Sequence, residues 1–541
     1  MAKTGRKIAF SAMTGILTAF CYAAGKPLDV YDSLNLTDKG FYFRWFLLSL
    51  LAGAVIYFVW ELFRRVQMRE VRIKNFNLPY WFCVIFLLLC WLPALFSLFP
   101  GAFAYDAYAE WQQVHMGNIT SHHPVVHVLL LGGLVELGHH LTGSYNAGMA
   151  VYTLLQMTIM AFVLSSTIHF LKEFRVPGIF QLLTLLFYGF SPVMQLFSIS
   201  ATKDVLFTGA ELMFVLYAIR FCCRREELLQ NKKRMCAFCA AAFFTMILRN
   251  NGFYIVLVTL VILAFVCKKD WKRFSKELGL MLLGILLPYL LYVGPFYSAL
   301  QVTSGGVEEM LSVPLQQMAR VYRYDYASLE QADLELLYSI VPQENLEEYR
   351  ATVSDFVKRG FQREVFEEKQ TEFWKLWLKW GMKHPLTYIN SFLINTVDAW
   401  YPGAVVDGYR HGDGRSSYFD YQVDKPGEEK VFLTGLHEYY ETLSHDAKAQ
   451  KKPFAFLILS PGWYFVLFLV LFFYLWCEKR YRMLIPWFVL VLHFGTVLLG
   501  PMALVRYMLI FYYGFPVLLA CAFFGMSGSS LLMKEPSLTA E

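Results

Sequence analysis

Apolar runs of about twenty residues recur along the whole chain, separated by short polar or basic segments. Phe41 to Phe63, Tyr80 to Phe99 and Phe454 to Trp476 are three of them. A helix of about 20 apolar residues crosses the ~30 Å hydrocarbon core of a bilayer. Periodicity alone does not separate spanning helices from buried core helices, but the length and number of these runs do. The pattern predicts an all-α polytopic membrane protein with about 12 transmembrane helices.

Short cytoplasmic loops collect Lys and Arg, so the basic clusters set the threading. They are Arg64, Arg65, Arg69, Arg72 and Lys74; Lys172 and Arg175; Arg224, Arg225, Lys232, Lys233 and Arg234; Lys268, Lys269, Lys272 and Arg273; and Lys479, Arg480 and Arg482. Placing all of them inside gives spans near 8–25, 41–63, 79–99, 146–171, 178–199, 204–222, 235–250, 253–267, 278–297, 454–476, 484–500 and 503–526. Both termini are then cytoplasmic. Lys3, Arg6 and Lys7 ahead of Ile8 to Ala24 would also suit a signal peptide, but no small-residue cleavage site clearly follows, so the run reads as a retained first span. The run from His123 to Leu141 would reverse the parity and is expected to lie as a helix in the outer interface. The short 253–267 run is also compatible with a re-entrant hairpin.

This threading predicts a transmembrane catalytic module over 1–297 with an outer loop at 100–145, an extracytoplasmic helical segment over 298–453, and C-terminal transmembrane helices over 454–541. The middle segment carries 24 acidic against 17 basic residues, the reverse of the inner loops. Helical spacing is expected over Leu329 to Ile340, Gln343 to Lys358 and Phe361 to Met382. Trp374, Trp377 and Trp380 suggest that the last of these rests on the membrane surface. Asp407 to Gly414 reads as a Gly- and Asp-rich loop.

Composition agrees with a bilayer as the solvent: 57% of residues are hydrophobic and 18% aromatic, which excludes a nucleic-acid binder in practice. The 10 cysteines lie in apolar runs or beside basic loops, so no disulfide framework is expected. Cys236 and Cys239 have no second ligand pair, and no zinc site is read there. There is no internal repeat, P-loop or dinucleotide fingerprint.

The unusual polar residues gather at the outer ends of the expected spans. Asp106 and Glu110 follow the third, with His122, His123 and His127 beyond; Lys203 and Asp204 follow the fifth, and Arg249, Asn250 and Asn251 the seventh. Gln316, Gln317 and Arg320 come after the ninth, and Arg506 and Tyr507 after the eleventh. Ionisable groups cost at least ~2.5 kcal/mol at the bilayer centre, so they face protein, a wet cavity or the interface. A shared outward cavity is the economical reading. Each residue also has a plainer one: Asp106 as a solvated loop carboxylate, Lys203 and Asp204 as an exposed helix start, Arg249 and Arg506 as snorkelling anchors, Asn250 as part of a turn, and Gln316 and Gln317 as ordinary amphipathic-helix residues. No metal site is expected at His122 or His123.

An acidic residue in the first outer loop (Asp106), a His-Pro helix start (His123-Pro124), a second acid at the outer end of a later helix (Asp204) and a C-terminal Arg-Tyr (Arg506-Tyr507) form, in that order, a layout that resembles the GT-C superfamily of membrane glycosyltransferases. It resembles more closely an uncharacterised bacterial membrane-protein family built on that plan. The resemblance covers most of 79–526. The chain departs from the superfamily in lacking paired acids around Asp106, which puts a divalent cation in doubt, and in having two spans ahead of the one leading into the acidic loop.

The resemblance implies inverting transfer of a sugar from a polyprenyl-phosphate or pyrophosphate carrier to a glycan, lipid or polymer acceptor outside the cytoplasm, in cell-envelope polysaccharide synthesis. It implies Asp106 as general base, with Asp204 orienting a cation or binding a sugar hydroxyl. Arg506, Arg249 and Lys203 would face the phosphate, Gln316, Gln317 and Arg320 the acceptor, and His122, His123, Asn250 and Tyr507 would complete the substrate surface. A transporter or flippase, or a polymerase of lipid-linked saccharides, is the alternative; the absence of repeats and the one-sided polar residues favour an enzyme.

Overall fold

The computed structural model describes residues 2–68, 78–104, 106–268, 271–404, 426–450 and 452–524. The loop expected over Asp407 to Gly414, Tyr105, and the basic residues Arg69, Arg72, Lys74 and Lys269 lie outside these. Among the described residues every regular element is helical, and the chain is an all-α, multi-pass membrane protein.

Nine of the described helices are long and apolar enough to span. They include α1 (Ala2–Tyr31), α2 (Lys39–Met68), α3 (Tyr80–Ser97), and, after a short helix α4 (Ala107–His115), α5 (Val125–Thr142) and α6 (Tyr145–Glu173). The run expected as one span over 178–199 is a bent pair, α7 (Gly178–Phe190) and α8 (Pro192–Ile199), broken by 54°. Pro192 lacks an N–H and its ring clashes with the preceding turn, so the helix cannot pass through it straight. It is followed by α9 (Lys203–Cys223).

A helix stands at every other expected span. Lys232–Ile247, Gly252–Val266 and Pro461–Cys477 have 16, 15 and 17 residues, short of a full crossing. The packing of α1 on α2 uses small residues: a Cβ on Gly15 would meet the Gly53 nitrogen at 2.5 Å.

Helix α5, kept out of the threading, is itself long and apolar enough to span. A two-residue turn joins it to α6, and the two pack as an antiparallel hairpin. His127, Val135, Gly138 and His139, spread over three turns of α5, meet Tyr152, Gly148 and Tyr145, within two turns of α6.

The segment after 298 is helical as expected, with its own apolar core of Leu315, Met318, Leu337, Phe366, Phe373 and Trp380 among others. The helix expected over Gln343 to Lys358 is two short ones, Gln343–Glu347 and Asp355–Lys358, with a turn between them. The tryptophan reading needs correction. Trp380 is buried in that core, Trp377 donates to Gln317 Oε1 at 2.9 Å, and Trp374 is the most exposed of the three. Steps of three drift around a 3.6-residue helix, so the first and third rings point about 120° apart and cannot share a membrane-facing side.

Candidate functional site

The loop after α3 is pinned by backbone pairs. Ala102 N donates to Ile199 O (3.0 Å) and Ala201 N to Ala102 O (2.7 Å), tying it to the α8–α9 junction, while Phe99 and Lys430 exchange bonds at 3.0 and 2.9 Å. Gly101 has φ +129°, and a Cβ there would meet Thr153 Oγ1 at 2.4 Å, so the close approach to α6 requires glycine. Asp106 then stands as N-cap of α4, yet its carboxylate makes no cap hydrogen bond. It is left for other partners.

Those partners come from distant parts of the chain. Lys203 Nζ donates to Asp106 Oδ2 at 2.6 Å, and Arg506 Nη1 donates to the same oxygen at 2.9 Å. Lys203 also reaches His123 Nδ1 at 3.0 Å and Glu110 Oε1 at 3.5 Å. Arg506 Nη1 lies 3.5 Å from Asp204 Oδ2, and Arg249 Nη1 2.9 Å from Asp204 Oδ1. Arg506 Nη2 donates to the Tyr507 hydroxyl (2.8 Å), while Arg249 stacks on the Tyr507 ring at 4.4 Å. Thr202, the N-cap of α9, donates to Asp204 Oδ2 at 3.0 Å. The first-turn position of Asp204 on α9 adds the favourable field of the helix N-terminus.

Three carboxylates thus face three fixed cations. Asp204 has no exposed surface, Lys203 keeps 8% and Arg506 6%, so neither an exposed helix start nor a snorkelling anchor describes them. Buried charges survive only when paired, and removing one partner strands the other. Asp106 differs: its side chain keeps 31% of its surface. Among the described residues its bonds fall on Oδ2, which leaves Oδ1 for the open side.

Electrostatics fixes the ionisation of this group. Burial pushes the Asp106 carboxyl up, but Arg506 and Lys203 outweigh it and hold it well below the usual carboxylate range. Glu110 is likewise pushed up by burial and brought down by His127 and Lys203 to a net lowering. Burial and the neighbouring Lys203 push His123 down to about 4, so its imidazole is neutral and Nδ1 accepts the lysine proton.

Behind Glu110 runs a buried chain of hydrogen bonds. His127 Nδ1 contacts Glu110 Oε2, His127 Nε2 contacts the Tyr152 hydroxyl at 2.7 Å, and that hydroxyl donates to Gln156 Oε1 at 2.9 Å. The Gln156 amide nitrogen reaches the carbonyls of Phe197, Ser198 and Ser200, which fixes its orientation. With the tyrosine proton spent on Gln156, His127 Nε2 carries the hydrogen it shares with Tyr152. A second buried pair, Glu211 and His493 (3.0 Å), lies deeper along α9; His493 Nε2 donates to the Tyr507 carbonyl at 2.6 Å and so braces the Arg506–Tyr507 turn.

The structure brings Asp106, Lys203, Asp204, Arg249, His123, Arg506 and Tyr507 together. His122 is exposed at the rim, its ring 4.5 Å from that of His123. Asn250 donates to the Ser121 carbonyl at 3.1 Å, joining the Arg249 turn to the histidine loop. Gln316, Gln317 and Arg320 are engaged elsewhere. Gln316 donates to the carbonyls of Arg350 and Ala351, Gln317 bonds Tyr388 and Trp377, and Arg320 bonds Tyr349 and the Asp32 carbonyl. They tie the helical segment after 298 together and to the end of α1.

Glu110, His127, Tyr152, Gln156, Glu211 and His493 are the members that were not picked out as site residues. A signal existed for two of them: Glu110 stands four residues after Asp106, and His127 four after His123, the spacing that puts side chains on one helix face. Asp106, Glu110 and His123 also bring potential metal-ligand atoms within 4.8 Å of one another, which was not expected of the histidines.

No curated protein and no solved structure matches the chain. A family model matches residues 115–529, which takes in every cluster residue named above except Asp106 and Glu110. The chain belongs to that family, DUF6020, a family of unknown function.

Proposed function

We propose that this protein is an inverting membrane glycosyltransferase of GT-C type, which moves a sugar from a polyprenyl-phosphate or pyrophosphate carrier to an acceptor on the extracytoplasmic face. The observation that carries the reading is the constellation at Asp106: one carboxylate oxygen on the open side, the other held by Lys203 and Arg506, with Asp204 and Arg249 adjoining. Inverting transfer needs a base for the acceptor hydroxyl and fixed cations where charge grows on the departing phosphate. Asp106 Oδ1 supplies the first and Arg506 with Arg249 the second.

The two requirements are coupled. While Arg506 sits on Asp106, the carboxylate is ionised but weakly basic. As charge grows on the departing phosphate and draws the guanidinium towards it, Asp106 becomes more basic, so departure of the phosphate and uptake of the acceptor proton support each other.

Sidedness is supported by α9, which begins at Lys203 in the cluster and ends at Cys223 beside the basic Arg224 and Arg225. With the basic end inside, the cluster opens outside and both termini are cytoplasmic. On this reading α5 lies in the outer interface, because a further span there would put Lys172 and Arg175 outside.

The test is to incubate the purified protein with a panel of radiolabelled polyprenyl-phosphate sugars. Transfer or hydrolysis of one of them, abolished by Asp106→Asn, is the expected result. Carrier-bound sugar that crosses a vesicle membrane unhydrolysed would instead make the protein a transporter.

A further inference from the structure

The trio Asp106, Glu110 and His123 has the composition of a divalent-cation site, with two carboxylates and an imidazole whose ligand atoms lie within 4.8 Å of one another. What those atoms converge on is the ammonium of Lys203, at 2.6 Å from Asp106 Oδ2, 3.0 Å from His123 Nδ1 and 3.5 Å from Glu110 Oε1. An ammonium has three protons to give and no acceptor, and here three acceptors surround it. His123 is in the matching state, neutral with Nδ1 free to accept.

We propose that this trio is a cation pocket whose resident cation is the Lys203 ammonium, so that the site works without a divalent metal. Two further features argue for it. Arg506 Nη1 stands 2.9 Å from the same Asp106 Oδ2, so a divalent ion at the trio would sit against a fixed guanidinium. Lys203 is itself buried, and a metal would have to evict its charge from the anions that make burial tolerable. Lys203 therefore spends its protons inside the protein, and phosphate contact falls to the two arginines. This assignment of Lys203 builds on the glycosyltransferase reading, but its test does not.

The probe is Mn²⁺, titrated into the purified full-length protein in detergent and followed by electron paramagnetic resonance of the free ion. Wild type is expected to take up no Mn²⁺ at this site. Lys203→Ala, which empties the pocket but keeps its three ligands, is expected to gain one tightly held Mn²⁺ and a higher melting temperature in its presence. The double variant Lys203→Ala with Glu110→Gln is expected to lose both. Stoichiometric uptake by wild type that Glu110→Gln abolishes would overturn the proposal, and so would a folded Lys203→Ala that binds nothing. Should Lys203→Ala fail to fold, wild type decides alone, uptake refuting the resident cation and no uptake upholding it. A protein that transfers no sugar from any carrier still answers the question. Transfer that is lost in EDTA would overturn the resident cation and leave the glycosyltransferase reading standing.

Discussion

In the proposed reaction Asp106 and Arg506 divide the chemistry at the smallest scale, one as the partly open carboxylate and the other as the cation that restrains it. Asp106→Asn keeps the shape but cannot take a proton, so transfer is expected to vanish while the protein stays folded and membrane-inserted. Near-normal turnover in initial-rate assays would return Asp106 to the role of a loop residue. Arg506→Lys keeps the charge but cannot bridge Asp106, Asp204 and the Tyr507 hydroxyl at once. Its turnover number is expected to fall by about 10²–10³, the usual loss for a fixed oxyanion donor, with little change in the donor Michaelis constant. Full activity in the lysine variant would sink the phosphate-clamp role. Behind them, His127→Ala strands Glu110, 1% exposed, without its imidazole. Breaking a buried pair costs about 3–5 kcal/mol, which thermal unfolding of the purified variant would register.

Helices α5 and α6 carry this chemistry into the fold through a contact between two glycines. A Cβ on Gly138 would lie 2.2 Å from the Gly148 nitrogen, backbone that cannot yield, whereas a Cβ on Gly133 meets nothing within 4 Å. Gly138→Val is therefore expected to destabilise the protein by about 1–3 kcal/mol and, by lifting α5 from α6, to disturb His127 and lower activity. Gly133→Val is expected to leave the melting temperature and the rate near those of wild type. Equal behaviour of the two variants would mean that the contact does not position the site. At this scale the sequence was legible in part. Runs of apolar residues located the helices at the expected spans, but the break at Pro192 went unread because the flanking runs on both sides are apolar. The close approach of α5 to α6 depends on Gly138 meeting Gly148, and a pairing between two glycines leaves no mark in hydropathy.

Seen as a whole, the molecule is a bundle in which one polar spine, from Gln156 through Tyr152, His127, Glu110, Lys203, Asp106 and Arg506 to Asp204 and Arg249, joins six separate stretches of chain. The charged half of it was readable, because Lys, Asp and Arg in apolar surroundings are rare and conspicuous. The other half was not: Tyr152 and Gln156 are ordinary residues within a spanning helix, and their roles come from partners 25 and up to 44 positions away. The order of the spine does not say which side of the membrane it faces, and for that the basic loops are the evidence. On the proposed topology Gln230 is inside and Ser328 outside, and both positions are exposed. Cysteines introduced there are expected to react oppositely with an impermeant thiol reagent in intact cells and in inverted vesicles. The native Cys236, also exposed and next to the basic Lys232 to Arg234, is expected to react from the same side as the cysteine at 230, so wild type supplies the internal reference. Labelling of the cysteines at 328 and 230 from one side would place the outer helical segment and the basic loops together. That result would remove the extracytoplasmic assignment of the site while leaving its internal geometry unchanged.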